Sequence, residues 1–243
     1  MINIHLASPL IYAGFVYCLQ QLPQIPDSST MAFFRRIHNI NLSVGSGIML
    51  LLAIIGQYQE CKFDSLDAFL CDSYNENSIM YLAGKMFLWS KYVEWGDTLF
   101  LHLSGKPITM LQYTHHMSTA ILTYVALDRT IISPYALIFI GSNTLVHIPM
   151  YWYFAFPKGF LHKYRKLITQ SQIIQHIGCL ATIVYTSSID NCEQAEYVNA
   201  FGFALYSMYL FYFSLFYLQT YFGTMGKILA GERVMGSVKI KNR

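Results

Sequence analysis

The stretch Gln112-Tyr113-Thr114-His115-His116 lies within a largely apolar part of the chain, and His147 follows one hydrophobic segment later. Spacings of three and four residues place Gln112, His115 and His116 on one face of a helix. Titratable side chains are costly inside a bilayer and usually face a protein interior or a water-filled cavity. The rest of the chain is therefore predicted to enclose these side chains.

The composition is typical of an integral membrane protein. Of the 243 residues, 54% are hydrophobic and only 12% are charged, whereas a soluble domain carries about 25% charged residues. The mean hydropathy of +0.37 agrees with this class. The net charge of +3 is small, and no basic run is interleaved with aromatic residues outside the apolar segments. Nucleic-acid binding is therefore excluded.

Apolar segments of about 20 residues, the length that crosses a bilayer, are centred near residues 15, 50, 88, 119, 143, 178 and 211. Basic and acidic loops alternate between them. The positive-inside rule then puts the C-terminus in the cytosol and, with seven spans, the N-terminus on the other side. The sequence predicts an all-α fold: one polytopic membrane helix bundle of about seven transmembrane helices over residues 1–243, with a basic cytosolic tail at 223–243.

Three of the five cysteines, Cys61, Cys71 and Cys192, fall in loops on the predicted outer side, where a disulfide can persist. A bond between Cys71 and Cys192 is favoured and would join the loop after the second segment to the loop after the sixth. A Cys61–Cys71 pair and three free thiols remain alternatives. No Cys/His spacing in the chain fits a structural zinc site.

Segments three to six each carry a polar stripe at helical spacing. One stripe alone would be ordinary hydrogen bonding between helices, worth about 1 kcal/mol or less per bond. Four stripes at comparable depth in the cytosolic half predict one shared polar chamber. Beside the box at 112–116, the stripes are Lys91, Glu94, Asp97 and Thr98; Asn143, His147, Met150 and Tyr151; and Thr169, Gln172 and Gln175.

Histidines in such a chamber act as bases, nucleophiles or metal ligands. One adjacent pair and a single His147 are too few for a di-iron centre, and no spacing supports a zinc ion on His115, His116 and His147, so no metal is predicted. A transporter or channel that relays protons or ions through Lys91, Glu94, Asp97 and the histidines is the alternative function, and a receptor-like binder is another. A transporter needs polar access from both faces, whereas these stripes lie in one half.

Four blocks make the chain resemble the ELO family of very-long-chain fatty acid elongases, which are 3-ketoacyl-CoA synthases of the endoplasmic reticulum. The segment Lys91–Thr98 resembles the family's KxxExxDT block, and Gln112–His116 resembles its HxxHH histidine box in the QxxHH form. The segment Asn143–Tyr153 resembles NxxxHxxMYxY, and Thr169–Gln175 resembles TxxQxxQ. The four blocks occur in the family's order.

The resemblance implies the condensing step of fatty acid elongation. A long-chain acyl-CoA and malonyl-CoA would give CO2, CoA and a 3-ketoacyl-CoA two carbons longer, through an acyl-histidine intermediate and without a cofactor. Six helices would surround an acyl tunnel. The expected partners are the lipid bilayer, the two CoA esters, and the reductases and dehydratase of the cycle, with a homodimer left open. Lys239 and Lys241 resemble a dilysine signal for the endoplasmic reticulum, which implies residence in that membrane. With the topology predicted from the charged loops, the protein would be multi-pass with a lumenal N-terminus.

The implied roles are carried over from the matching blocks. Gln112 departs from the commoner box, and because glutamine cannot hold an acyl group, His115 is the expected acyl acceptor with His147 in support. Glu94 and Asp97 are expected to set histidine tautomers. The side chains expected to orient imidazoles or stabilise the enolate and oxyanion are Gln112, His116 and Asn143. Those expected to bind the CoA end are Lys91, Tyr151, Lys166, Gln172 and Gln175.

Overall fold

The computed structural model describes residues 3–26, 28–60, 65–71, 77–127, 137–189, 192 and 196–223. These residues form α-helices and connecting turns, and the described part of the chain contains no strand. The predicted all-α fold is therefore confirmed. The helices are α1 (Ser8–Gln20), α2 (Ser29–Glu60), α3 (Leu66–Cys71), α4 (Ile79–Val93), α5 (Trp95–Leu103), α6 (Met110–Leu127), α7 (Ser142–Ala155), α8 (Arg165–Thr186) and α9 (Glu196–Tyr221).

Short polar side chains define where three of the helices begin. The hydroxyls of Ser28, Ser78 and Thr109 each accept a hydrogen bond from the backbone N–H three residues further on, at 3.2, 2.9 and 3.2 Å. Such a cap satisfies one of the free amides in the first turn of a helix. The turn between α5 and α6 requires φ of +70° at Gly105, a conformation that glycine adopts without strain.

The third predicted segment is interrupted rather than continuous. Helix α4 ends at Val93 and α5 begins at Trp95, with Glu94 at the junction. Glu94 keeps right-handed helical dihedrals, φ −61° and ψ −18°. The polar face of this segment therefore continues across the junction.

Six helical segments form a closed ring. Each of α2, α4, α6, α9, α8 and α7 contacts the next in that order, and α7 returns to α2. Helix α5 continues α4, and α1 lies outside the ring against α5 and α6. One apolar cluster, made of Met49, Ala53, Met80, Ala83, Phe87 and Ile140, joins α2 and α4 to a π-helical turn (Leu137–Gly141) that leads into α7.

The ring has charged groups inside and apolar side chains outside. Lys91 and Glu94 are only 2% and 1% exposed, while Leu51, Ile174 and Phe211 point outward at more than half of their full exposure. Large exposed apolar surface of this kind marks contact with lipid or another protein. The structure therefore has the polarity of a membrane helix bundle.

Among the described residues, three helical stretches are long and apolar enough to cross a membrane by length and composition: Ser29–Gln59, Phe160–Thr186 and Tyr197–Tyr221. Two of the other predicted segments form shorter α-helices, because one is split at Glu94 and the other begins with the π-helical turn. Several helices thus suit a polytopic membrane bundle, and the count of seven crossings stays a prediction.

A disulfide joins the end of α3 to the segment before α9. Cys71 and Cys192 have an S–S distance of 2.06 Å and a Cα–Cα distance of 4.8 Å. The Tyr185 hydroxyl donates a hydrogen bond of 2.8 Å to Asp67, which ties α3 to α8 at the same end of the bundle. Cys61 and residues 224–243 of the predicted tail, with Lys239 and Lys241, lie outside the described residues.

Candidate active site

A cavity of about 450 Å³ lies inside the ring and opens beside exposed Lys106 and half-buried Arg35. The four predicted polar stripes contribute to its wall, so the structure brings them together around one space. The lining side chains that carry polar or titratable groups further in are Asp97, Gln112, His115, His116, Asn143, His147, Tyr151, Gln172, Gln175 and His176.

The first cluster behind the cavity wall contains Lys91, Glu94, Asn143 and His147. The Lys91 ammonium donates to Glu94 Oε1 at 2.8 Å and to Asn143 Oδ1 at 3.1 Å. An ammonium can only donate, so the oxygen of the Asn143 amide must accept. The amide nitrogen then faces His147 Nε2 at 3.2 Å and donates to it. His147 therefore keeps its proton on Nδ1, which lies 3.7 Å from Glu94 Oε1.

The second cluster surrounds Asp97 in the first turn of α5. Its Oδ1 lies 2.9 Å from His38 Nε2, and its Oδ2 accepts a hydrogen bond of 2.8 Å from Tyr151. The same Oδ2 is 3.9 Å from His116 Nε2, which is an electrostatic contact longer than a hydrogen bond. Close packing of His38 requires a glycine, because a Cβ at Gly96 would lie 2.6 Å from His38 Cε1.

Gln112, the first residue of the histidine box, is fixed by hydrogen bonds. Gln112 Nε2 donates to Thr98 Oγ1 at 3.3 Å, and Thr98 Oγ1 is 2.7 Å from the Tyr12 hydroxyl on α1. The Gln112 backbone N–H also donates to Thr109. Gln112 thus lies on the cavity wall with its amide nitrogen engaged.

His115 differs from the other histidines of the site. Its ring is held by packing against Tyr209 and Phe213, with ring centroids 5.1 and 6.1 Å apart, and it lines the cavity. Among the described residues, no side chain or backbone group hydrogen-bonds to either nitrogen of its ring. A partly exposed imidazole with free nitrogens on a cavity wall is available to a substrate.

Three predicted site residues do not line the cavity. Lys91 and Glu94 are buried behind Asn143 and His147, and their contacts fit orientation of those two side chains. Lys166 is exposed, with its ammonium 5.5 Å from the ring of Phe222. The other predicted site residues contact the cavity.

The sequence analysis missed several polar residues of the site, among them four basic or imidazole side chains. His176 lies on the cavity wall and Arg35 and Lys106 lie at its mouth, while His38 binds Asp97. Only His176 had a usable signal, since it follows Gln172 by four residues and so shares its helix face. The ring nitrogens His116 Nδ1 and His176 Nδ1 are buried and have no partner in the described part of the chain. Buried polar atoms of this kind normally bind water or a ligand.

Within the described ranges, no group of three or more His, Cys, Asp or Glu side chains is placed to hold a metal ion. The groups present suit acid–base, nucleophilic and electrostatic chemistry instead. Free imidazole nitrogens supply a nucleophile. Amide and ammonium donors in a buried site stabilise a developing oxyanion.

Fold and site together define a helical membrane protein with an internal histidine-lined cavity and a cationic mouth. The chain matches the family described as ELO, the GNS1/SUR4 family, over residues 2–228, and it belongs to that family. The family resemblance seen in the sequence is thereby confirmed.

Curated relatives agree with this assignment. The chain is 26% identical over 226 residues to "Fatty acid elongase sre1" of Dictyostelium discoideum, covering 88% of this chain and 82% of that protein. It is 29% identical over 194 residues to "Long chain fatty acid elongase 2" of Caenorhabditis elegans, covering 75% and 70%. A Schizosaccharomyces pombe relative is 29% identical over 201 residues, and this chain spans only 59% of its length.

Proposed function

We propose that the protein is a condensing enzyme of fatty acid elongation, a 3-ketoacyl-CoA synthase that joins a long-chain acyl-CoA to malonyl-CoA. The observation that carries the proposal is the position of His115, an imidazole with free nitrogens inside a cavity whose mouth is cationic. Membership of a family whose curated relatives are named fatty acid elongases supports the same reaction.

The CoA end of each substrate would bind at the mouth. Arg35 and Lys106 line this part of the cavity, and Arg35 is steadied by a hydrogen bond of 2.8 Å from Nη1 to Ser104 Oγ. Guanidinium and ammonium groups are the usual partners of phosphates. These two cations are better situated for the phosphates than Lys91, which is buried, and Lys166, which is outside the cavity lining. Tyr151, Gln172 and Gln175 line the cavity further in.

In the first step, a ring nitrogen of His115 attacks the thioester carbonyl. The bond from carbon to sulfur breaks, the acyl group becomes attached to the imidazole, and the imidazole proton ends on the departing CoA sulfur. The Asn143 amide, which is polarised by Lys91 at 3.1 Å, is the proposed donor to the carbonyl oxygen as negative charge develops there.

In the second step, the carboxylate of malonyl-CoA leaves as CO2, and its electron pair forms an enolate. The enolate carbon attacks the acyl carbonyl and displaces His115, which takes up a proton. His116 and Asn143 would stabilise the enolate oxygen and the oxyanion, and His147, which accepts a hydrogen bond from the Asn143 amide, would hold that donor in place. Glu94 and Asp97 would fix the imidazole orientations. No cofactor is needed, because decarboxylation supplies the carbanion.

The proposal extends to the cellular setting. The protein would lie in the endoplasmic reticulum membrane as a multi-pass protein, with a lumenal N-terminus and a cytosolic C-terminus. The product would pass to the reductases and dehydratase of the elongation cycle, and a homodimer remains open. A proton-relay transporter is less favoured, because an apolar cluster around Met80 and Phe87 fills one side of the ring beyond the polar stripes.

Two assays test the function. Membranes containing the protein, given labelled malonyl-CoA and a panel of acyl-CoA primers, are expected to form labelled 3-ketoacyl products. His115→Ala should lower this rate by on the order of 10⁴-fold, as loss of a nucleophile does, whereas His162→Ala, at an exposed histidine that does not itself line the cavity, should leave it nearly unchanged.

Protein given acyl-CoA alone should yield an acylated peptide that contains His115. An adduct at another residue, or full activity in His115→Ala, would overturn the proposed acyl acceptor. Absence of malonyl incorporation with every primer would overturn the reaction itself.

A further inference from the structure

Helix α1 lies outside the six-helix ring, but its Tyr12 side chain contacts a residue that is hydrogen-bonded to the cavity wall. Tyr12 is completely buried, and its ring packs against Trp95 and Tyr113 with centroids 5.2 and 5.7 Å apart. Its hydroxyl lies 2.7 Å from Thr98 Oγ1, which is also completely buried. A buried hydroxyl pair of this kind is a specific polar contact between α1 and α5.

Thr98 is also hydrogen-bonded to the first residue of the histidine box. Its hydroxyl accepts a hydrogen bond from Gln112 Nε2 at 3.3 Å, and Gln112 lines the cavity. An amide has a donor nitrogen and an acceptor oxygen on opposite sides. With the nitrogen held by Thr98, the oxygen is left for the cavity side, where His115 lies one helical turn further along α6.

We propose that Tyr12 is a positioning residue for the condensation, acting through Thr98 to keep the Gln112 carbonyl oxygen directed at the His115 ring. This inference rests on the proposed function for its kinetic consequence. The described structure has no hydrogen bond on the His115 ring, so its contact with the Gln112 oxygen would form during attack: an amide oxygen that then accepts the N–H of one ring nitrogen leaves the lone pair of the other nitrogen for the electrophile. The glutamine at the head of the box would thereby act on His115 as an acceptor rather than as a donor.

The first experiment measures the reactivity of His115 without any elongation assay. Purified protein is treated with diethyl pyrocarbonate, and the rate of carbethoxylation at each histidine is followed by mass spectrometry. Tyr12→Phe keeps the ring and removes only the hydroxyl. Because a net hydrogen bond changes an equilibrium by roughly three- to tenfold, the His115 rate should fall by about that factor, while the rate at exposed His162 is unchanged.

A matched control is available on the same helix. Tyr17 is 68% exposed, so Tyr17→Phe removes a hydroxyl from α1 without touching the relay and should leave the His115 rate as in the wild type. Thr98→Val should reproduce the loss seen in Tyr12→Phe. An unchanged His115 rate in Tyr12→Phe, or an equal loss in Tyr17→Phe, would overturn the proposal.

The second experiment measures steady-state condensation. Tyr12→Phe should lower kcat by roughly three- to tenfold while KM for both CoA esters stays within about twofold. In a Gln112→Leu background the same change should add no further loss, because residues of one network are not additive. A full additional loss in that background would show that Tyr12 acts by another route. If the wild type fails to condense, the proposed function is overturned, and the carbethoxylation rates still decide the role of Tyr12.

Discussion

Gly56→Ala tests the closest crossing in the ring. Gly56 lies near the end of α2, where that helix passes the start of α4. A Cβ at this position would lie 2.5, 2.8 and 2.9 Å from N, Cα and Cβ of Met80. Two of these atoms belong to the backbone, so no change of side-chain rotamer relieves the contact. Since carbon atoms pack best at about 3.5–4.0 Å, the two helices must move apart by roughly 1 Å.

The expected cost follows from overpacking, which typically destabilises a protein by about 1–3 kcal/mol. Close helix approach at a glycine is also a main source of packing in membrane bundles. For a chain of this size, 1 kcal/mol corresponds to about 2–4 °C in Tm. Gly56→Ala should therefore lower the Tm of the detergent-solubilised protein by roughly 2–12 °C.

Gly47 provides the matched control on the same helix. No atom of the described residues lies within 4 Å of a Cβ placed at Gly47, so Gly47→Ala meets no described neighbour and gains helix propensity of up to about 1 kcal/mol. Its Tm should stay constant or rise. Equal Tm values for Gly56→Ala and Gly47→Ala would refute the packing of α2 on α4 described above.

Two further predictions concern the site. Gly96→Ala should displace the His38 ring from Asp97, because the new Cβ would lie 2.6 Å from His38 Cε1, and should reduce malonyl-CoA incorporation by at least about tenfold. Gly178→Ala, which meets no described atom within 4 Å, is the control, and equal activities of the two variants would contradict a role for the His38–Asp97 contact. Tyr209 packs behind the cavity wall, so Tyr209→Ala should enlarge the cavity and lengthen the longest product by at least one two-carbon unit. Gas chromatography of the fatty acids formed measures this, and an unchanged product distribution would show that the acyl chain does not end at Tyr209.

The helical architecture and many of the polar side chains on the cavity wall could be predicted from the sequence, because both depend on local periodicity. Gln112, His115 and His116 lie on one helix face by spacing alone, and so do Asn143 and His147. Apolar length located the helices for the same reason. These features require no knowledge of which helices are neighbours.

Contacts between distant segments could not be predicted in this way. His38 and Asp97 are 59 positions apart, and their contact depends on how α2 packs against α5. Arg35 and Lys106 come together at the cavity only when the ring closes. Lys166 was predicted to bind the CoA end because it precedes the Thr169–Gln175 block, but it does not line the cavity. Position along the sequence says little about which cation faces an interior space.

Arg35 and Lys106 are the two basic side chains that line the cavity in the described part of the chain, and their number bears on the order in which the substrates would bind. Under the proposed function both substrates are CoA esters, and this one pair of cations would bind the nucleotide of one ester at a time. The first CoA would then leave before malonyl-CoA enters, so the acyl group would stay on the protein in the interval. Sequential binding of the two esters at one site would thus require a covalent acyl-protein intermediate, independently of which imidazole carries the acyl group.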